Sequence, residues 1–150
     1  MLAVVLAALL LAAGIEDART REIANAKNAA IALLAPAWWW AIGLGWGAMG
    51  LQVAMAAVVL GVFLGVFAAG WMGGGDVKMI AALALWLPLG GFVQMLMVMS
   101  VLGGAITLAL LIERRWQRRI GAVEVPYGVA IAAAALLALP PLLPATLSRT

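Results

Sequence analysis

Six apolar runs, separated by short polar or glycine-rich breaks, account for nearly the whole chain. The first, Met1 to Ile15, ends at Glu16-Asp17-Ala18-Arg19-Thr20-Arg21-Glu22. The second, about Asn28 to Leu44, carries Pro36 and closes on Trp38-Trp39-Trp40 and Trp46, indoles that favour a membrane headgroup layer. The third, about Gly50 to Ala69, leads into Gly70-Trp71-Met72-Gly73-Gly74-Gly75-Asp76-Val77-Lys78, where three consecutive glycines predict a helix break. A short fourth run, about Met79 to Leu89, stops at Pro88-Leu89-Gly90-Gly91. The fifth, about Phe92 to Ile112, meets Glu113-Arg114-Arg115-Trp116-Gln117-Arg118-Arg119, and the sixth opens near Val125-Pro126-Tyr127-Gly128 and finishes around Pro140 to Pro144. About 20 apolar residues make one spanning helix. The pattern therefore predicts an all-α, polytopic membrane protein of about six spans with a short, glycine-preceded fourth helix. The first run lacks the basic flank of a cleaved signal peptide, so it is expected to remain as span one.

Composition agrees. Of 150 residues, 67% are hydrophobic and 10% charged, with a mean hydropathy of +1.17. Soluble domains run at about 45–50% apolar and about 25% charged, so a water-soluble globular fold is excluded. Six helices would use roughly 120 residues, leaving no room for a second domain; residues 1–150 are expected to form one membrane-embedded unit. The net charge of +3 and pI near 10.2 could suggest nucleic acid, but basic loops of a membrane protein account for them, and no nucleic-acid partner is expected. The loops after spans one, three and five hold all six acids and eight of the nine basic residues, Arg149 being the exception. The positive-inside rule puts those loops in the cytoplasm and both termini outside, so polar chemistry is expected at the cytoplasmic edge of the bilayer.

The chain has neither cysteine nor histidine. Disulfides, thiolate nucleophiles, Ser-His dyads and triads, and His- or Cys-ligated zinc are excluded, leaving carboxylates, lysine or a hydroxyl. Arg114, Arg115, Arg118 and Arg119 read as topology anchors able to hold anionic lipid, with Glu113 and Glu124 as their solvated partners. Asp17 and Asp76 differ, because each stands where a helix should meet the interface, and a carboxylate withdrawn from water is costly. The ordinary account is a helix cap or an ion pair, Asp76 with Lys78 or Asp17 with Arg21. The alternative is a carboxylate dyad sharing one proton, whose ionised member activates water while the protonated member donates to a carbonyl. A Ser100–Lys78 dyad would need groups at different membrane levels. Met95, Met97 and Met99 alternate at the wrong period for one helical face and read as packing. Gly61 and Gly65 form a small-xxx-small pair suited to close helix contact.

Three segments resemble the type IV prepilin peptidases. Asp17, followed six and eight positions later by Ile23 and Asn25, is similar to the first aspartate motif of that family. Gly73-Gly74-Gly75-Asp76-Val77-Lys78 resembles the glycine-rich second motif, and Pro126-Tyr127-Gly128 resembles the P-[YF]-G that opens the last span. The resemblance implies a bacterial inner-membrane aspartic endopeptidase that removes short basic leaders from prepilin or pseudopilin substrates at the cytoplasmic face, without metal or cofactor. It makes Asp17 and Asp76 the catalytic pair, 59 positions apart in sequence, with Gly73, Gly74 and Gly75 allowing close approach and Lys78 and Asn25 at supporting positions. Ala24 stands where many members have proline. Larger members carry a cysteine-paired cytoplasmic region linked to N-methylation; with no cysteine, this chain resembles the short, peptidase-only form of Flp or Tad-type pili.

Two other classes fit the residues less closely. A small ion- or proton-coupled transporter would use the interrupted fourth segment and the membrane-edge carboxylates, although no second broken segment matches it. A noncatalytic assembly subunit would leave the aspartates as caps.

Overall fold

The computed structural model describes residues 1–117 and 125–139. All six apolar runs are helical there: α1 (Leu2–Thr20), α2 (Asn25–Ala41), α3 (Trp46–Ala68), α4 (Gly74–Ala84), α5 (Leu89–Gln117) and α6 (Tyr127–Ala138). Boundaries differ from expectation for local reasons. α1 continues through the acidic stretch and stops only at Arg21, a left-handed residue with φ 59° whose N–H bonds back to the Asp17 carbonyl. The glycine run does not break a helix. The turn falls at Gly70, whose φ is 76°, while Gly73 caps α4 and Gly74 and Gly75 form its first turn. Likewise Gly90 and Gly91 lie inside α5, which starts immediately after Pro88. Arg118, Arg119, Glu124, Arg149 and the Pro140–Pro144 terminus of the sixth run lie outside the described residues.

The short α4 lies at the centre. It packs on α2, α3 and α6, while α6 also packs on α1 and α5. Leu6 and Leu10 of α1, Ile31 of α2, Met79 and Ile80 of α4, and Ile131 of α6 are fully buried where these helices meet. Small residues let α1 and α6 approach: a Cβ built on Gly14 would lie 3.0 Å from that of Ala132.

Side chains from α2 and α3 hold the far end of α4. Helix C-termini leave carbonyls without intrahelical partners, and here Trp39 Nε1 donates to the Leu85 carbonyl (2.8 Å) and Gln52 Nε2 to the Leu87 carbonyl (2.6 Å). In return Trp86 Nε1 donates to the Ile31 carbonyl at 2.8 Å, and its ring stacks on Trp38 at 5.9 Å. The tryptophans therefore divide. Trp39 is buried and fixes α4, whereas Trp40 and Trp46 are exposed and meet edge-on.

α3 and α5 are long and apolar enough to cross a membrane, and few of their residues are buried inside the bundle. Apolar exposure on that scale has no place in water. Met95 and Met99 are buried while Met97 faces outward, as packing requires. Ser100 Oγ bonds to Leu96 O within its own helix, so the Ser-Lys pairing does not form. Gly61 and Gly65 face open space, so the close helix contact expected at them is not made among the described residues.

Candidate active site

Asp17 and Asp76 are both buried, at 4% and 8% exposure, and line two shared cavities at one end of the bundle, of about 220 and about 590 Å³. Each is there because a helix N-terminus needs an acceptor. Asp17, in the last turn of α1, reaches across to α6, where the Val129 N–H donates to its Oδ2 at 3.0 Å. Asp76, in the first turn of α4, accepts the backbone N–H of Gly73, its own helix's N-cap residue, which is the carboxylate half of a capping box. The capping account of these aspartates thus holds. It also brings the two acids to one place, so the cap and dyad readings are compatible. Neither proposed ion pair with a neighbour forms the site: Lys78 points to Asn25 instead, Nζ donating to Oδ1 at 2.7 Å.

The glycines serve close approach. A Cβ on Gly73 would lie 3.2 Å from Asp76 Oδ2, one on Gly74 3.4 Å from the Phe67 ring, and one on Gly75 3.2 Å from Ile23 Cβ. Gly128 is tighter: its Cβ would come within 2.7 Å of both Asp17 Cγ and Ile23 Cδ1. Ile23, buried between the starts of α4 and α6, is the wedge that spaces them. The short α1–α2 connection that presents it is tied down by Glu16, whose Oε2 accepts Lys27 Nζ at 2.6 Å and the Ala24 N–H at 3.1 Å.

Asp17, Asp76, Gly73, Gly74, Gly75 and Asn25 therefore line one pocket, and Lys78 does not. Lys78 lies on the other side of Asn25, in an apolar groove between α2, α3 and α4. Gly128, the Val129 N–H and the Glu16–Lys27 pair have no role in the sequence reading. The Pro-Tyr-Gly motif includes Gly128 without saying what it does. Asn28, whose Nδ2 donates to the Gly75 carbonyl at 3.0 Å, stands in the sequence only as the start of the second apolar run.

Both acids lie beyond the ends of the apolar runs. Burial pushes the Asp17 carboxyl above the usual range, opposed by the Val129 N–H, the Arg21 charge and the Gly128 N–H. Burial, reinforced by the negative charge of Asp17, pushes Asp76 up to about 7, with only the Gly73 N–H opposing. Glu16 is moved the other way, first by its bond from Lys27 and then by the Ala24 N–H. Both acids thus bind a proton more readily than an exposed carboxyl, and the charge on Asp17 favours the proton on Asp76, the setting in which such a pair titrates as a unit.

An all-helical bundle with two helices apolar enough to cross a membrane and two buried acids in a pocket at one end defines a class of helical membrane protein. A family model described as the type IV leader peptidase family matches residues 4–108. That is well over half of the chain and includes both aspartates, and the protein belongs to this family of peptidases. No curated protein and no solved structure matches it.

Proposed function

We propose that the chain is a six-span aspartic endopeptidase of the bacterial inner membrane that removes basic leaders from prepilin-like proteins at the cytoplasmic face. Asp17 acts as general base on a water molecule and Asp76 as the acid that protonates the scissile carbonyl and then the leaving amine. No acyl-enzyme forms, and the two carboxylates suffice without metal or cofactor. Gly73 to Gly75 keep the pocket floor low enough for a peptide backbone, and Asn25 borders its mouth. Residues 1–150 serve as one peptidase unit of the kind found in Flp or Tad-type systems.

The observation that carries this reading is the shared burial of two acids, far apart in sequence, in one pocket of a leader-peptidase family member. Orientation follows from charge: the pocket is bordered by Arg21 and Glu22 of the first polar loop, on the face where the basic loops gather. The test is co-expression with a prepilin. Asp17→Asn and Asp76→Asn should each insert normally and leave the precursor uncut, and efficient processing by either variant would reject the dyad.

A further inference from the structure

We propose that the apolar groove between α2, α3 and α4 is the docking track for the apolar helical segment of the substrate, and that it delivers the leader junction past Asn25 into the acid pocket. The inference rests on the peptidase reading above. α2 and α3 both pack on α4 but hardly on one another, which leaves a lateral cleft of about 530 Å³ with α4 as its floor. Ala29 and Ala32 of α2, Ala56 and Ala57 of α3, and Ala81 and Ala82 of α4 line it. Alanines on three sides allow the close backbone approach by which helices associate in lipid. From Asn25 to Ala32 the groove is about 10 Å long at 1.5 Å per residue, or about two helical turns.

The position of the groove singles out a peptide helix as the occupant. Asn25 lines both the groove and the candidate active site, so a helix seated on the alanines has one end beside the acid pocket. An acyl chain gains nothing from that adjacency. The Lys78–Asn25 bond stands at the junction of groove and pocket.

The absence of native cysteine makes the test direct. In an Asp17→Asn background, Ala29→Cys and Ala57→Cys would each be oxidised with a prepilin bearing one cysteine in the first two turns of its apolar segment. Val62→Cys, about 140° round α3 from position 57 at 100° per residue, is the control. Cross-linking at 29 and 57 should exceed that at 62 at least tenfold. In the active enzyme, Ala29→Leu and Ala57→Leu should raise KM about tenfold with kcat held within about twofold. Equal cross-linking at 62, or none at 29 and 57, or an unchanged KM would overturn the proposal and give the groove to lipid chains. Cross-linking by a chain whose wild type cuts no prepilin would retain the groove and reject the peptidase reading.

Discussion

Gly128→Ala tests the site where the geometry is tightest. Alanine suits the first turn of α6 better than glycine, by about 1 kcal/mol in intrinsic helix propensity, so on local grounds the change should stabilise. Tertiary contacts reverse the sign. The new Cβ would lie 2.7 Å from Asp17 Cγ, 2.8 Å from Asp17 Oδ2 and 2.7 Å from Ile23 Cδ1, against an optimum of about 3.5–4.0 Å between carbons. Ile23 can swing its terminal methyl away. Asp17 cannot yield by the required ~1 Å without giving up its 3.0 Å bond from the Val129 N–H, a bond to a charged group worth about 1.5–3 kcal/mol. Overpacking adds about 1–3 kcal/mol. The variant should therefore melt below wild type in detergent by a few degrees. A misplacement of this size should also lower prepilin cleavage about 100-fold, mostly in kcat. Gly104→Ala, whose Cβ meets nothing within 4 Å, is the matched control and should cut normally. Wild-type cleavage by Gly128→Ala would refute the placement of Asp17 against the start of α6.

The pH dependence of stability follows from Asp76, whose folded carboxyl is at about 7 against an ordinary 3.8. A raised folded value stabilises below the unfolded value and loses that contribution as pH climbs through the folded one. Wild type should thus weaken between about pH 4 and 8, by at most roughly 4 kcal/mol at 1.36 kcal/mol per unit, while Asp76→Asn should melt with a much flatter pH profile. A parallel profile for the two would sink the assignment. Ile23→Ala removes the wedge between Gly75 and Gly128 and should cost about 2–5 kcal/mol, read as a lower melting temperature, with Ile23→Val restoring most of both stability and cleavage. At Ala24 the backbone (φ −58°, ψ 131°) already suits proline, but proline would remove the N–H that Glu16 accepts. Ala24→Pro should leave the melting temperature of wild type nearly unchanged, and raise it in a Glu16→Ala background, where only the gain of about 0.4–1 kcal/mol from a stiffer unfolded chain remains.

The helices were readable from the apolar runs because in a chain this hydrophobic each run is a helix wherever it is long enough. Their ends were not, since run boundaries mark where side chains change and helix boundaries mark where backbone bonds end. α1 passes through Glu16 to Thr20 because those residues are good enough helix formers, and only the left-handed Arg21 stops it. Gly73 to Gly75 read as a break because three glycines disfavour a helix in isolation. Packing overrides that preference here: the first turn of α4 has Asp76 and Ile23 against it, and any side chain would push them apart. The two aspartates stood out by setting. Their partners did not, because a backbone N–H carries no sequence signature: nothing about Val129 as a residue type says that its amide, 112 positions away, will hold Asp17. That Lys78 bonds to Asn25 and not to Asp76 has a related reason. Two positions after Asp76 on a helix it must point to a different face, and that face carries Asn25 and the groove.

The proposed division of labour within the pair rests on which helix each acid caps. Asp76 caps α4 from within, so its supporting N–H belongs to the same turn and comes with the helix. Asp17 is supported by α6, an element that must dock from elsewhere in the chain and that brings two N–H groups and a helix terminus. On the proposed mechanism the better-supported carboxylate keeps its charge, and that charge raises the proton affinity of the other. Removing the α6 contact should therefore do more than loosen Asp17. Shifting Asp17 away takes its negative charge from Asp76, so the carboxyl of Asp76 should fall and the upper limb of the cleavage pH profile should move to lower pH in Gly128→Ala. An unshifted limb in a variant that still cuts measurably would show that the two acids titrate independently, and the assignment of acid to Asp76 and base to Asp17 would lose its physical ground.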